Sequence, residues 1–246
     1  MKLSFTQPKT GNFHFEITGS KSISNRYLIL QALFPNLELK GLSNSDDTQV
    51  LQKALSKSLE DTHEIDIHHA GTAMRFSTAY LSTQPNANVI LTGSQRMQER
   101  PIGILVEALR ALGASIEYVK NEGFPPLKIK GKSLTKDHIS ISADVSSQYI
   151  TALMLIAPSL ENGLTINLES KVTSKPYLKM TAQALESIGV KVDFVVNSIK
   201  VHPKAKIQPT QISVESDWNK IYVGGEWYKP EGSGTIDVKD PSTQEV

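Results

Sequence analysis

Thr18-Gly19-Ser20-Lys21-Ser22-Ile23-Ser24-Asn25-Arg26 runs straight into Tyr27-Leu28-Ile29-Leu30-Gln31-Ala32-Leu33-Phe34. Small residues, two cations and several hydroxyls thus stand directly ahead of an apolar run. A helix starting near Ser22 leaves its first N–H groups without intrahelical partners, with the positive end of its dipole facing the same way. Lys21 and Arg26 add two full charges, so the spot favours an anion, most simply a phosphate. Taken alone, the stretch reads equally as an ordinary Ser-capped helix with two solvated cations. Its recurrence along the chain favours the anion.

Residues 2–6 and 13–18 alternate apolar and polar, with Phe13, Phe15 and Ile17 on one face, and read as strands. Helix 22–34 is apolar nearly all round and is expected to be buried. A strand at about 37–42 follows, and Asn44-Ser45-Asp46-Asp47 supplies turn and cap chemistry for a helix carrying Val50, Leu51, Leu55 and Leu59 on one side. The pattern restarts with strand Glu64–His68, the apolar helix 72–82 and strand 87–92. Pro101 fits the first turn of an amphipathic helix with Ile102, Leu105, Val106, Leu109 and Leu112, which stops at Gly113; strands 115–119 and 126–130 close that unit. A third round has strand 138–143, an apolar helix from Ser146 to near Pro158, strand 163–168, an amphipathic helix from Ser174 to Gly189, and strands 190–196 and 198–202.

The order β-α-β-α-β-β thus recurs over residues 13–202, each time with one apolar and one amphipathic helix. A period of ~50–75 residues means similar units sharing a core. The expected fold class is α/β (α+β): three β-α-β-α-β-β units in rough threefold symmetry, apolar helices at the centre and sheets outside. The small-residue helix starts at 20–22, 70–72, 146–147 and 174 are then expected to gather on one face.

Bulk composition narrows the function. The 246 residues carry 39% hydrophobic and 21% charged side chains, as in ordinary globular proteins. A net charge of +1, without a long basic run or a basic–aromatic stripe, argues against nucleic acid. Cysteine is absent, which removes disulfides, a thiolate nucleophile and Cys-based zinc sites. The first residues lack the apolar core of a signal peptide, and no run approaches the ~20 apolar residues of a membrane span, so a cytoplasmic location is expected.

Among candidate site residues, Lys21, Ser22 and Arg26 form the leading set. Arg75, Arg96 and Arg100 come next: Arg96 lies in a Gly-Ser-Gln-Arg loop suited to clasping an anion, while Arg100 beside Glu99 reads as a structural ion pair. Ser146, Ser147 and Gln148 offer donors at a helix start, although an N-cap explains Ser146 without a ligand. Ser174 and Tyr177 read as a cap and an aromatic that packs. His63, His68 and His69 match no metal-ligand spacing, and Asp46 and Asp47 read as a cap.

Gly19-Ser-Lys-Ser-Ile-Ser-Asn-Arg26, Ala70-Gly-Thr-Ala-Met-Arg75, Arg96-Met-Gln-Glu-Arg-Pro-Ile-Gly103, Val145-Ser-Ser-Gln148 and Ser174-Lys-Pro-Tyr177 come in order. Together they closely resemble the 3-phosphoshikimate 1-carboxyvinyltransferases, or EPSP synthases, of the shikimate pathway, over residues 1 to about 218. The resemblance implies two domains of three such units each, with substrates between them. It implies a reaction joining the 5-hydroxyl of shikimate 3-phosphate to C2 of phosphoenolpyruvate, with release of phosphate. Carried over by motif, Lys21 contacts both substrates and helps catalysis. Ser22, Arg26, Ser146, Ser147, Ser174 and Tyr177 hold shikimate 3-phosphate, and Gly71, Arg96 and Gln148 line the phosphoenolpyruvate side. No cofactor or metal is implied.

There are departures. Thr18 stands where the family usually has Pro, and His69 where it often has Asn. The family runs to well over 400 residues, and beyond Ile212-Ser-Val-Glu-Ser-Asp-Trp218 its expected Ser-rich helix does not follow. Lys220-Ile-Tyr-Val-Gly-Gly-Glu-Trp227 and Gly234-Thr-Ile-Asp-Val-Lys-Asp-Pro241 instead resemble the N-terminal strands of an aldehyde dehydrogenase. The expected organisation is therefore a strand within 1–12 that in the family belongs to the other domain, a shikimate-3-phosphate-binding domain over 13–218, and a non-family tail over 219–246. The family's proton-moving acids come from the other half, so a half-enzyme with little activity alone is expected. A non-catalytic phosphoester-binding domain is the alternative. The sister transferase acting on UDP-N-acetylglucosamine usually has a loop Cys as acid, which this chain lacks.

Overall fold

The computed structural model describes residues 18–57, 63–142, 146–170 and 174–216, together with the backbone of strands at 221–223 and 226–228. The expected strands at 2–6 and 13–17, Leu59 and residues 229–246 lie outside the described residues.

Three helices make the centre: α1 (Lys21–Leu33), α3 (Gly71–Ser82) and α6 (Ser147–Ile156). Each packs against the other two. Their apolar residues face inward on all sides, and Leu28, Ile29, Leu30, Phe76, Leu153 and Met154 are fully or almost fully buried. Two of the buried hydroxyls in α3 are satisfied by the helix itself. Thr78 Oγ1 donates to Met74 O at 2.7 Å and Ser82 Oγ to Thr78 O at 2.7 Å, so burial leaves no orphaned hydroxyl at either place. Leu153→Ala is expected to lower stability by about 2–5 kcal/mol, because the packed helices cannot close over the gap. A thermal melt followed by circular dichroism checks this.

Around the centre stand α2 (Asp46–Leu55), α5 (Gly103–Leu112) and α7 (Lys175–Ser187), each with one buried stripe. Helix α2 touches both α1 and α3, and α7 touches both α6 and α1, which sets inner and outer helices alternately around the molecule. Helix α5 ends where Gly113 takes φ 108°, a left-handed turn that glycine adopts without strain. Pro101 lies two residues ahead of α5 rather than in its first turn. Ahead of Pro101 the chain forms a short helix, α4 (Gln95–Gln98), capped by Ser94.

Two four-stranded sheets cover the helices and share one topology. The first contains β2 (His63–Asp66), β3 (Asn88–Thr92), β4 (Ser115–Tyr118) and β5 (Leu127–Lys130), ordered β2-β3-β5-β4. The second contains β6 (His138–Ile141), β7 (Leu164–Leu168), β8 (Val192–Val195) and β9 (Ser198–Val201), ordered β6-β7-β9-β8. In each, the first two strands are parallel and the last two form an antiparallel hairpin. Alternation fixes the faces: Leu127 and Ile129 point inward, and so do Ile199 and Val201.

The first unit is built differently from the other two. Its β1 (Leu37–Lys40) takes its parallel partner from far down the chain, β10 (Thr210–Ser213). Strand β10 thus stands beside β1 as β2 stands beside β3 and β6 beside β7. Two further strands, β11 (Ile221–Val223) and β12 (Glu226–Tyr228), pair antiparallel. No helix among the described residues is long and apolar enough to cross a membrane.

Candidate anion-binding cavity

The starts of the three central helices converge on a cavity of about 260 Å³. Lys21, Ser22, Asn25 and Arg26 come from α1, Thr72 and Phe76 from α3, Ser147 and Gln148 from α6, and Tyr177 from the first turn of α7. Four helix N-termini therefore turn their unpaired N–H groups and positive dipole ends toward one space. Among the described residues, no carboxylate stands on its wall.

The loop that begins α1 is fastened from two sides. Gly19 N donates to Gly41 O at 3.0 Å, just past β1, and Ser20 N donates to Glu215 O at 2.8 Å, just past β10. A Cβ on Gly19 would collide with Gly41 O and reach 2.7 Å from Val214 Cγ1, so the approach requires glycine. Ser20 is the N-cap of α1, its Oγ accepting from Ile23 N. The helix accordingly begins at Lys21, and Lys21 Nζ lies half-exposed, 4.0 Å from Asp47 Oδ1.

Arg26 is not the solvated cation that its sequence context allows, being only 4% exposed. Its Nε donates to Thr181 Oγ1 at 2.9 Å, and its terminal nitrogens donate to Ser22 O at 2.6 Å and Tyr177 O at 3.2 Å. The guanidinium carbon lies 5.9 Å from the ring centres of both Phe76 and Tyr177. All three hydrogen-bond acceptors are neutral. Burial lowers the pKa to about 10, with Tyr177 acting weakly in the opposite direction. A buried guanidinium beside a cavity, with no acid partner among the described residues, is poised for an anion from outside.

The other candidates sort by distance from this space. Ser146 caps α6, its Oγ accepting from Gln148 N at 3.3 Å, while Ser147 and Gln148 reach the wall. Gln148 Nε2 donates to Thr72 Oγ1 at 3.2 Å and so links α6 to α3. Ser174 holds the N-cap position of α7 without a side-chain cap bond, and Tyr177 is 47% exposed with its ring over Arg26. Gly71 begins α3 next to Thr72. The Arg100 guanidinium packs so closely on it that an added Cβ would come within 2.9 Å of Arg100 Cζ. Arg100 therefore serves this contact, and its expected pairing with Glu99 is not among the described ion pairs. Arg96 is exposed on α4 and stands off the cavity wall.

Arg75 is buried and mirrors Arg26. It donates to Gly71 O four residues back at 2.8 Å and to Pro101 O at 3.2 Å, and it lies over the Tyr149 ring. Burial lowers its pKa. The cap expected from Asp46 and Asp47 falls instead at Ser45, whose Oγ meets Thr48 Oγ1. His68 takes φ 49° in a turn where its N–H donates to Asp66 Oδ1, and His68 and His69 are both exposed. Among the described residues no three His, Cys, Asp or Glu side chains gather around a metal-sized space.

Asn25, Thr72 and Phe76 are cavity residues that were not singled out from the sequence. The available signal was spacing: Asn25 lies four residues after Lys21, and Phe76 four after Thr72, so each shares a helix face with a helix-start residue.

Comparison with known proteins bears on the family and the fold. Residues 37–220 match the family described as EPSP synthase (3-phosphoshikimate 1-carboxyvinyltransferase). The 3-phosphoshikimate 1-carboxyvinyltransferase of Bacteroides fragilis strain YCH46 is 46% identical over 231 residues, 93% of this chain and 54% of that protein. The enzyme of the same name from Pseudoalteromonas atlantica is 38% identical over 201 residues, covering 72% and 47% respectively. In structure, the EPSP synthase of Acinetobacter baumannii superposes with a TM-score of 0.67 at 22% identity, over 84% of this chain and 51% of that one, a likeness of fold. The chain spans about half the length of the curated relatives it matches. Residues 37–220 make up most of the sequence, and the chain belongs to the EPSP synthase family.

Proposed function

We propose that this chain binds shikimate 3-phosphate in the cavity and contributes that site to enolpyruvyl transfer from phosphoenolpyruvate to the 5-hydroxyl. The observation that carries the reading is Arg26, buried beside a cavity of helix N-termini that has no carboxylate among its described residues. Arg26 and the N-terminus of α1 take the phosphate of the sugar acid, with hydroxyls from Ser22, Ser146, Ser147 and Ser174 and the ring of Tyr177 completing its seat. Lys21, at the rim, reaches both substrates and offsets charge developing as phosphate leaves phosphoenolpyruvate. Gly71, Gln148 and Arg96 serve the phosphoenolpyruvate side. Arg96 would reach it from α4, outside the cavity wall.

The reaction also needs a proton donor and acceptor within hydrogen-bond reach of the reacting carbon and hydroxyl. The described residues of the wall offer no carboxylate for that work, and water is excluded only when a second body closes over the site. A complementary C-terminal half is the proposed partner, with residues 13–218 as the binding domain, a strand within 1–12 belonging to that partner, and 219–246 a tail outside the family.

Isothermal titration with shikimate 3-phosphate, and a phosphate-release assay with and without a family C-terminal half, test the reading. Binding by the chain alone, with turnover only after the half is added, is the expected result. Product from the purified chain alone would refute the half-enzyme reading. Binding that never leads to turnover with the added half would favour a non-catalytic phosphoester-binding domain.

A further inference from the structure

Resting on the phosphoester reading above, we propose that Asn25 is a further ligand-binding residue, its Nδ2 donating a hydrogen bond to an oxygen of the bound phosphoester. Asn25 follows Lys21 by four residues and Ser22 by three, so the three side chains share one face of α1, and all line the cavity. The residue is 0% exposed. Its Oδ1 accepts from Thr48 Oγ1 at 2.8 Å, a buried hydroxyl in the first turn of α2. Its Nδ2 has no hydrogen-bond partner among the described residues.

One end of the amide is therefore fixed by the fold and the other is unspent. Buried amide nitrogens seldom stay unpaired, because the lost hydration is not recovered. The adjoining Lys21 and Arg26 side chains carry donors only and cannot satisfy it. The hydroxyls of Ser22, Thr72 and Ser147 on the wall do not bond the amide, and an anionic oxygen held by those same cations supplies the acceptor. Thr48 thus orients the amide and is a positioning residue, while Asn25 makes the contact.

Isothermal titration of the full chain with shikimate 3-phosphate tests this, together with ¹H–¹⁵N spectra of the side-chain amides. Asn25→Ala and Asn25→Asp are expected to bind about tenfold to a hundredfold more weakly than the wild type. Asn25→Asp keeps an acceptor for Thr48 and so guards against a folding failure in the alanine variant. Thr48→Val removes the bond to Asn25 Oδ1 together with the one to Ser45 Oγ, leaves Nδ2 in place, and is expected to stay within about threefold of wild-type affinity. In the wild type, the amide pair missing from the Asn25→Asp spectrum is expected to shift as ligand is added. Unchanged affinity in both Asn25 variants, or an amide pair that does not move, overturns the role of Asn25 and leaves the phosphoester reading standing. A loss in Thr48→Val as large as in Asn25→Ala also overturns it, since it marks a purely structural contact. Absence of binding by the wild type overturns both.

Discussion

Arg26→Met is expected to leave the unliganded chain no less stable than the wild type and to weaken shikimate 3-phosphate binding at least a hundredfold, about 3 kcal/mol. The two effects differ because, on the proposed function, Arg26 is held for a ligand. Its guanidinium is buried, and desolvation has brought its pKa down to about 10, which is a free-energy penalty on the charged form of a few kcal/mol. Removing it orphans nothing. Ser22 O still receives the helical N–H of residue 26, Tyr177 O still accepts from Thr181 Oγ1 at 2.7 Å, and Thr181 Oγ1 retains Thr151 Oγ1 at 3.3 Å. Methionine fills similar volume between the Phe76 and Tyr177 rings.

The pH dependence follows from the same shift. A cation whose folded pKa is depressed loses its proton first in the folded state, so its stability penalty is relieved as pH rises through about 10. Arg26→Met is expected to abolish that alkaline rise. Denaturant titration and calorimetry on the two proteins measure both halves of the prediction. A loss of more than about 2 kcal/mol in the unliganded variant would mark Arg26 as a structural residue.

Gly19→Ala is expected to destabilise the chain by about 3 kcal/mol or more, lowering the melting temperature by about 6 °C or more, and to remove ligand binding with it. The added methyl meets Gly41 O, Val214 Cγ1 at 2.7 Å and Val214 O at 2.9 Å. Two of these three are backbone atoms and cannot rotate away. The loop must lift from the ends of β1 and β10, breaking the bonds from Gly19 N and Ser20 N that fix where α1 begins. Gly103→Ala provides the contrast. Its nearest atom outside the helix is 3.4 Å away, at the start of α5, where a methyl meets ordinary contact. A melting temperature for Gly19→Ala within about 2 °C of the wild type would show that the loop is free to shift.

The repeat was legible because, beyond their polar starts, the central helices over 21–33, 71–82 and 147–156 are apolar nearly all round, unlike the one-sided pattern of a surface helix. Gathering of the helix starts followed from threefold packing, and Lys21, Ser22, Arg26, Ser147, Gln148 and Tyr177 do share one cavity. What escaped depends on contacts between distant segments. Nothing local to Arg26 tells that Thr181 and the Tyr177 carbonyl will cover it. The place of Arg96 turns on a helix of only four residues, too short to show a period. The pairing of β1 with β10 joins strands whose sequences carry no mark of each other.

That pairing sets an order on assembly. The two four-stranded sheets each close within their own stretch of chain, whereas the seat for Ser20 is finished only by Glu215, roughly two hundred residues later. Closure over so long a span is entropically the dearest contact in the molecule and is favoured only once the shorter ones hold. A chain emerging from the ribosome is therefore expected to build its two complete modules first, and the turn proposed to grip the ester is set in place when β10 joins β1.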